Sequence, residues 1–274
     1  MANLLSLYLW GEIVFSPFAL RRNKEKLINP DPLLFLIMLR LLESYDFEKQ
    51  MLERYIKDNA AKNGALKILE AGCGQAWGLN LEGITYHLTG VDVDRHALEI
   101  RKFKTKDLDE IIEGDLCTVN LNENHYDVIY NSYVLEHIQG AETVMKNFHK
   151  WLKPGGIAIL RFPDRQSAYG FMTRLTPFWF HVFFKKIMMG DPNAGKPGFA
   201  PYRVFYDRVV SREGMREFCD RHNLKIREEW GHPYPMDWDS YPALLKIACR
   251  TVYALSLGRL AHGHNNLTYI LEKT

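Results

Sequence analysis

The chain has 274 residues, 47% hydrophobic and 25% charged, a make-up that can bury a sizeable core. Its 35 basic and 33 acidic side chains leave a net charge of +2, too little for the cationic field of a nucleic-acid binder, so no nucleic-acid partner is expected. Cys73, Cys117, Cys219 and Cys249 stand far apart with no C-x-x-C pair, which speaks against a zinc cluster or disulfide scaffold and fits a reducing, cytoplasmic setting.

The first segment, MANLLSLYLWGEIVFSPFAL, is apolar but interrupted by Glu12 and Pro17, and it lacks a basic start and a small-residue cleavage site. A helix packed on the body of the protein is the expectation. The basic run Arg21, Arg22, Lys24 and Lys26 behind it leaves peripheral contact with an anionic membrane open. Residues 29–60 read as helix, with Asp31 as N-cap, Pro32 at the first helical position, and an amphipathic pattern after Ser44. Residues 1–62 are thus expected to form an N-terminal helical cap.

From Asn63-Gly64 onward strands and helices alternate. Strands are expected at 66–72, 86–94, 108–115, 126–132 and 157–163, helices at 94–104 and 141–152, with Lys153-Pro154-Gly155-Gly156 as a breaker. The strand at 126–132, YDVIYNS, is too apolar to face solvent and is expected at the centre. This rhythm predicts an α/β fold, a doubly wound and mostly parallel sheet, with its core over 63–164. Residues 165–210 depart from the rhythm and are dense in Phe, Trp, Tyr and Met, as expected of a cap or lid over one end of the sheet. Residues 211–274 then complete the sheet, with a helix capped by Ser211, a strand at 225–230, a second aromatic stretch at 229–245 and a last strand at 265–273.

The stretch KILEAGCGQAWGLN (67–80) runs a buried strand into Gly72, Gly74 and Gly78. Glycine loses the most backbone freedom on folding, so a cluster of it at a strand end points to close approach by a ligand. No Gly-Lys-Ser/Thr follows, which removes the P-loop reading. Trp77 occupies the third glycine position of G-x-G-x-x-G, which disfavours a dinucleotide. Two acids fit a nucleoside better: Glu70 before the glycines, and Asp92 at the next strand end, 18 residues beyond Gly74, where it can accept from ribose hydroxyls.

With EGDL (113–116) and NSYVLEHI (131–138) in order after these, residues 64–164 resemble the class I S-adenosylmethionine-dependent methyltransferases, in particular their small-molecule group with LEAGCG, GVD, GD and VLEHI motifs. The resemblance implies a Rossmann-like methyltransferase fold with a seven-stranded sheet, S-adenosylmethionine as cofactor and S-adenosylhomocysteine as product. It also implies roles. Glu70, Ala71, Gly72, Cys73 and Gly74 would hold the methionine part. Asp92 would bind the ribose, Val93 would lie against the adenine, Asp115 and Leu116 would bracket it, and Asn131 would face the methionine end. The family often has glycine where this chain has Ala76.

For the acceptor, Tyr133 is the expected substrate-facing residue, with Tyr202, Arg203 and His232 beside it, and Arg203 suited to an anionic group. A hydroxyl acceptor would need a base, for which Tyr133, His137 and His181 are the catalytic candidates. YNSYV offers no acid pair, so no metal is expected, and it lacks the (D/N)PPY-like stretch of enzymes that methylate amino groups in macromolecules. The expected partner is a small hydrophobic or aromatic acceptor: a natural product, a quinone or a lipid-like molecule. A protein or RNA methyltransferase, or a cofactor-binding homologue without turnover, is the alternative.

Overall fold

The computed structural model describes residues 39–188, 190–196, 201–233 and 243–274. Among them, eight strands form one mixed sheet: β1 (Arg40–Leu41), β2 (Leu66–Ala71), β3 (Tyr86–Asp92), β4 (Glu110–Glu113), β5 (Tyr126–Ser132), β6 (Leu152–Pro163), β7 (Leu224–His232) and β8 (Asn266–Lys273). Their order is β1-β7-β8-β6-β5-β2-β3-β4. Only β8 is antiparallel to its neighbours, pairing with β6 and β7. The helices are α1 (Tyr45–Asn63), α2 (Arg95–Ile100), which runs into a π turn at Arg101–Thr105, α3 (Ala141–Trp151), α4 (Ala168–Leu175), α5 (Phe178–Met188), α6 (Arg212–Arg221) and α7 (Ala243–Leu255).

Side-chain alternation along the strands builds a core on each face of the sheet. On one face Leu69, Ile129, Ala158, Leu160 and Tyr269 pack under Met145, Phe148 and Trp151 of α3 and Met215 and Phe218 of α6. On the other, Ile68, Leu88, Val128, Ile159 and Ile270 pack under Met51, Leu52 and Ile56 of α1. β5, buried along six of its seven residues, lies between β2 and β6 as its apolar run predicts. From β2 the chain proceeds outward through β3 and β4, and from β5 it proceeds the other way to β6. The carboxyl ends of β2 and β5 therefore adjoin at the reversal of strand order, where open α/β sheets place ligands.

Three sequence expectations need correction. The helix expected to run from Asp31 is not continuous: residues 40–41 form a strand, and its later part starts afresh at Tyr45, where the extended Ser44 accepts from the Phe47 amide through its Oγ; Asp31 and Pro32 lie outside the described residues. Before it, Arg40 and Leu41 pair with Trp230 and Gly231, adding an eighth strand to the seven expected. Gly231 permits this, because a β-carbon there would fall 2.6 Å from Leu39 Cδ2 and 2.9 Å from Leu41 Cδ2. Last, the Lys153–Gly156 stretch ends α3 but does not interrupt β6, since Gly155 takes φ +76 and the pairing with β5 shifts register between Tyr126 and Val128.

Candidate functional site

The glycine turn after β2 is held from several sides. Gly72 N and Cys73 N donate to Val91 O, and Gly74 N donates to Asp92 Oδ2 at 2.8 Å. Gly72 and Gly74 have φ of +75 and +53, a region that costs a side chain strain. The two glycines serve different ends. A β-carbon on Gly72 would fall 2.4 Å from Val134 Cγ2, so Gly72 lets the 131–138 segment close over the turn. A β-carbon on Gly74 would meet nothing within 4 Å, so the backbone there faces open space.

Beneath the turn lies Arg101, fully buried on the π turn that extends α2. Its Nη2 donates to Glu70 Oε2 (2.9 Å), Nη1 to Cys73 O (2.7 Å) and Nε to Asp107 Oδ1 (2.7 Å). Asp107 in turn accepts from Trp77 N. Burial pushes the Glu70 carboxyl up, to about 8, against the pull of the guanidinium. Glu70 is 5% exposed, so it acts on the turn through Arg101 rather than from its surface. Trp77 packs edge-on against Tyr130, with ring centroids 5.4 Å apart, and anchors the far end of the turn in the α1-side core.

The other cofactor candidates are arranged around the turn. Asp92 accepts from Gly74 N on one carboxylate oxygen and from Asp94 N on the other, each oxygen retaining a lone pair. Val93, next to it, is 68% exposed and offers an apolar surface. Asp115 is exposed and accepts from Cys117 N through Oδ1, whereas Leu116 is buried in the core. Asn131, fully buried, donates from Nδ2 to Ala71 O at 2.8 Å and leaves Oδ1 without a partner. Ala71 and Cys73 are themselves buried, and burial pushes the Cys73 thiol to about 12, an inert packing group.

These features fit an adenosyl group with an amino-acid tail. Open space lies before Gly74, carboxylates at two strand ends have acceptor capacity to spare, an exposed valine adjoins one of them, and an orphaned amide oxygen lies at the third strand end. Asp92, Val93 and Asp115 would hold the nucleoside; the 72–74 backbone and Asn131 would face the tail.

Two groups of acceptor-side residues emerge. In the first, the one-turn helix Leu135–His137 meets the 202–206 segment. His137 Nδ1 lies 2.7 Å from Arg203 O, its ring packs edge-on against Tyr202 at 5.7 Å, and Phe205 N donates to Glu136 O. Burial lowers the His137 pKa. Burial, with the charges of Asp94 and Asp92, raises that of Tyr202. The Arg203 guanidinium lies over the Phe178 ring at 5.5 Å. Glu136 is 2% exposed, its Oε2 has no partner, and burial pushes its carboxyl to about 8.

The second group surrounds Tyr133, directly after β5, in the left-handed region at φ +57. Such strain in a non-glycine residue is concentrated at functional sites. Asn266 Nδ2 donates to Tyr133 Oη, and Arg161 lies over its ring at 5.0 Å. Arg161 makes a two-point pair with Glu48 (3.0 and 2.8 Å), which also accepts from Thr268 and from His232 Nε2 at 3.1 Å. Although burial opposes it, His232, Arg161 and Thr268 hold the Glu48 carboxyl down, at about 2. His232 is fully buried, packs 4.8 Å from Tyr45, and keeps Nδ1 without a partner. Both groups thus join residues far apart in sequence.

His181 belongs to neither. Its Nε2 lies 2.7 Å from Thr176 Oγ1 and 3.2 Å from Thr176 O, at the junction of α4 and α5. Arg101, Glu48 and Arg161 escaped the sequence reading. Two had a signal: Arg161 is a charge inside the apolar strand IAILRFP, and Glu48 shares a helix face with Met51 and Leu52. Among the described residues, no three His, Cys, Asp or Glu side chains converge as metal ligands, and no helix is long and apolar enough to cross a membrane.

Comparison with known proteins shows the family. Residues 40–229 match a family model described as a methyltransferase domain. The chain is 30% identical over 188 residues to demethylmenaquinone methyltransferase of Staphylococcus saprophyticus, covering 66% of this chain and 76% of that one. It is 31% identical over 111 residues to phosphoethanolamine N-methyltransferase 1 of Arabidopsis thaliana, covering 37% of this chain and 23% of the relative's length. In fold, it superposes on geranyl diphosphate C-methyltransferase from Streptomyces coelicolor, solved with Mg2+, geranyl diphosphate and S-adenosyl-L-homocysteine, with a TM-score of 0.50 and 10% identity over 82% of this chain and 79% of that one.

Proposed function

The chain belongs to the class I S-adenosylmethionine-dependent methyltransferases, and from that premise we propose that it methylates a small, hydrophobic, ring-bearing acceptor of quinol type. The observation that carries this reading is the gathering of Tyr45, Tyr133 and His232 around the Glu48–Arg161 pair, directly beyond Asn131. Aromatic surfaces over a neutralised ion pair suit a flat apolar molecule with one titratable hydroxyl. Arg161 is matched by Glu48 and offers no free charge; an acidic substituent would fall to Arg203. A demethylmenaquinone methyltransferase among the relatives supports the same class of acceptor.

The bound cofactor supplies an already activated methyl group, so the chain's task is alignment and exclusion of water. Asp92 and the 72–74 backbone fix the donor side. Tyr133, held by its strained backbone and by Asn266, forms the wall on the acceptor side. His232 is the base: its Nε2–H faces the Glu48 carboxylate, which leaves the Nδ1 lone pair to take the acceptor's proton. Glu48 is the positioning residue. In this reading His137 supports Tyr202 and Arg203, and His181 braces two helices. Peripheral membrane contact through the basic N-terminal segment and a cytoplasmic location belong to the same proposal.

The test is transfer of labelled methyl from S-adenosylmethionine to a short-chain prenylated naphthoquinol, with phosphoethanolamine in parallel. Methylation of the naphthoquinol supports the reading. Methylation of phosphoethanolamine alone overturns it.

A further inference from the structure

Helices α5 and α7 turn their apolar sides outward. On α5, Trp179, Phe183 and Ile187 follow one another at four-residue spacing and are 67%, 53% and 65% exposed, with Phe180 and Phe184 alongside. On α7, Leu244, Ile247 and Leu255 share one exposed face, and Leu257 continues it. A surface helix ordinarily buries this stripe and shows solvent its polar face. Among the described residues no element covers either stripe, and together they far exceed the scattered exposed leucines of a normal surface.

The two helices share one support. Only Thr176 and Pro177 separate α4 from α5, while Ala168 N at the start of α4 donates to Ala261 O, beyond α7, at 2.6 Å. Tyr253 of α7 packs edge-on against His262 at 4.4 Å, securing that end.

Charge selects the occupant. Residues 168–188 and 243–263 contain no aspartate or glutamate, yet include Arg174, Lys185, Lys186, Lys246, Arg250 and Arg259. Lys185 is paired with Asp191, while Lys186, Arg250 and Arg259 are exposed. A second copy of the chain on the same face would bring like charges together with no acid to match them. An anionic bilayer satisfies both halves of the pattern: Trp, Phe, Ile and Leu enter the boundary between headgroups and acyl chains, and the cations meet lipid phosphates.

We propose that α5 and α7 form an interfacial docking face that seats this protein on the surface of an anionic lipid bilayer. Its existence does not depend on which acceptor is methylated.

The test is flotation of the full chain with vesicles of phosphatidylcholine alone or mixed with phosphatidylglycerol, at low and high salt. The chain floats with the mixed vesicles, and salt weakens this. Trp179→Ser/Phe183→Ser and Leu244→Ser/Leu255→Ser each lower the partition coefficient at least about tenfold, from the apolar area withdrawn. Lys186→Glu/Arg250→Glu lowers binding and flattens its salt dependence. S-adenosylhomocysteine affinity stays the same in all three, showing that the fold is intact. The proposal fails if the parent chain stays in the aqueous phase with both vesicles, or if the apolar variants bind as tightly as the parent. It also fails if the apolar variants turn a dimer into monomers while vesicle binding persists, which would assign the face to self-association. Methylation of a short-chain acceptor in detergent, measured on the same variants, separates failure of docking from failure of the proposed function.

Discussion

Gly72 lies directly against Val134, so close that a β-carbon would fall 2.4 Å from its Cγ2. The contact locks the turn after β2 to the segment after β5, the two walls between which a cofactor tail would lie. Two obstacles therefore meet Gly72→Ala: the clash, and a φ of +75. The substitution is expected to cost about 2–4 kcal/mol of stability. Adding Val134→Ala should recover only part of this, because the backbone strain remains. Chemical denaturation of the single and double variants checks it.

Arg101 holds the same turn from below. Arg101→Met strips Glu70, Cys73 O and Asp107 of their donor and leaves a carboxyl buried alone. A loss of about 3 kcal/mol is expected, with weakened S-adenosylhomocysteine binding even where the protein remains folded. Thermal shift with and without the ligand reads both effects.

His232 and Glu48 carry the chemistry proposed for a hydroxyl acceptor. His232→Ala should lower kcat roughly a hundredfold or more while cofactor affinity holds. Glu48→Gln should act through the histidine, shifting the pH–rate profile as well as kcat, a signature that a structural defect alone would not produce. Equal activity of parent and His232→Ala on the naphthoquinol would remove His232 as the base.

Opposite pH trends are expected from Glu136 and Glu48, two of the buried glutamates. Glu136 is raised by burial to about 8, so the native state binds the extra proton. Its contribution is complete below the ordinary carboxylate range and is lost as pH rises toward 8. Relative to Glu136→Gln, the parent should lose about 3 kcal/mol between pH 5 and pH 8. Glu48, held at about 2, contributes above its ordinary range and loses that contribution as pH falls toward 2. Melting temperatures of parent, Glu136→Gln and Glu48→Gln across pH 3–9 test both signs.

Much of this molecule is visible in local pattern. The apolar run of β5 announces a central strand, and Asp94 and Ser211 cap the helices they precede. The glycines after Glu70 mark the strand end at the switch point. What local pattern hides is partnership. Nothing near Glu70 in sequence shows that Arg101, 31 residues on, is its hydrogen-bond partner. Helical spacing ran through Arg40 and Leu41, yet pairing with Trp230 and Gly231 made them a strand. Glu48, Arg161, His232 and Thr268 lie on four different elements, and only the sheet brings them together. The aromatic residues of 165–210 read as a cap over one end of the sheet, yet Trp179, Phe180, Phe183 and Phe184 face solvent, because composition does not say which way a helix turns.

The central claim is that Asp92 and the glycine turn hold a nucleoside with an amino-acid tail. Calorimetric titration of S-adenosylhomocysteine into the full chain and into Asp92→Ala tests it most directly. Saturable binding at one site per chain, lost in a variant that still melts cooperatively, is the predicted result. Absence of binding to the parent chain, or undiminished affinity in Asp92→Ala, would contradict it.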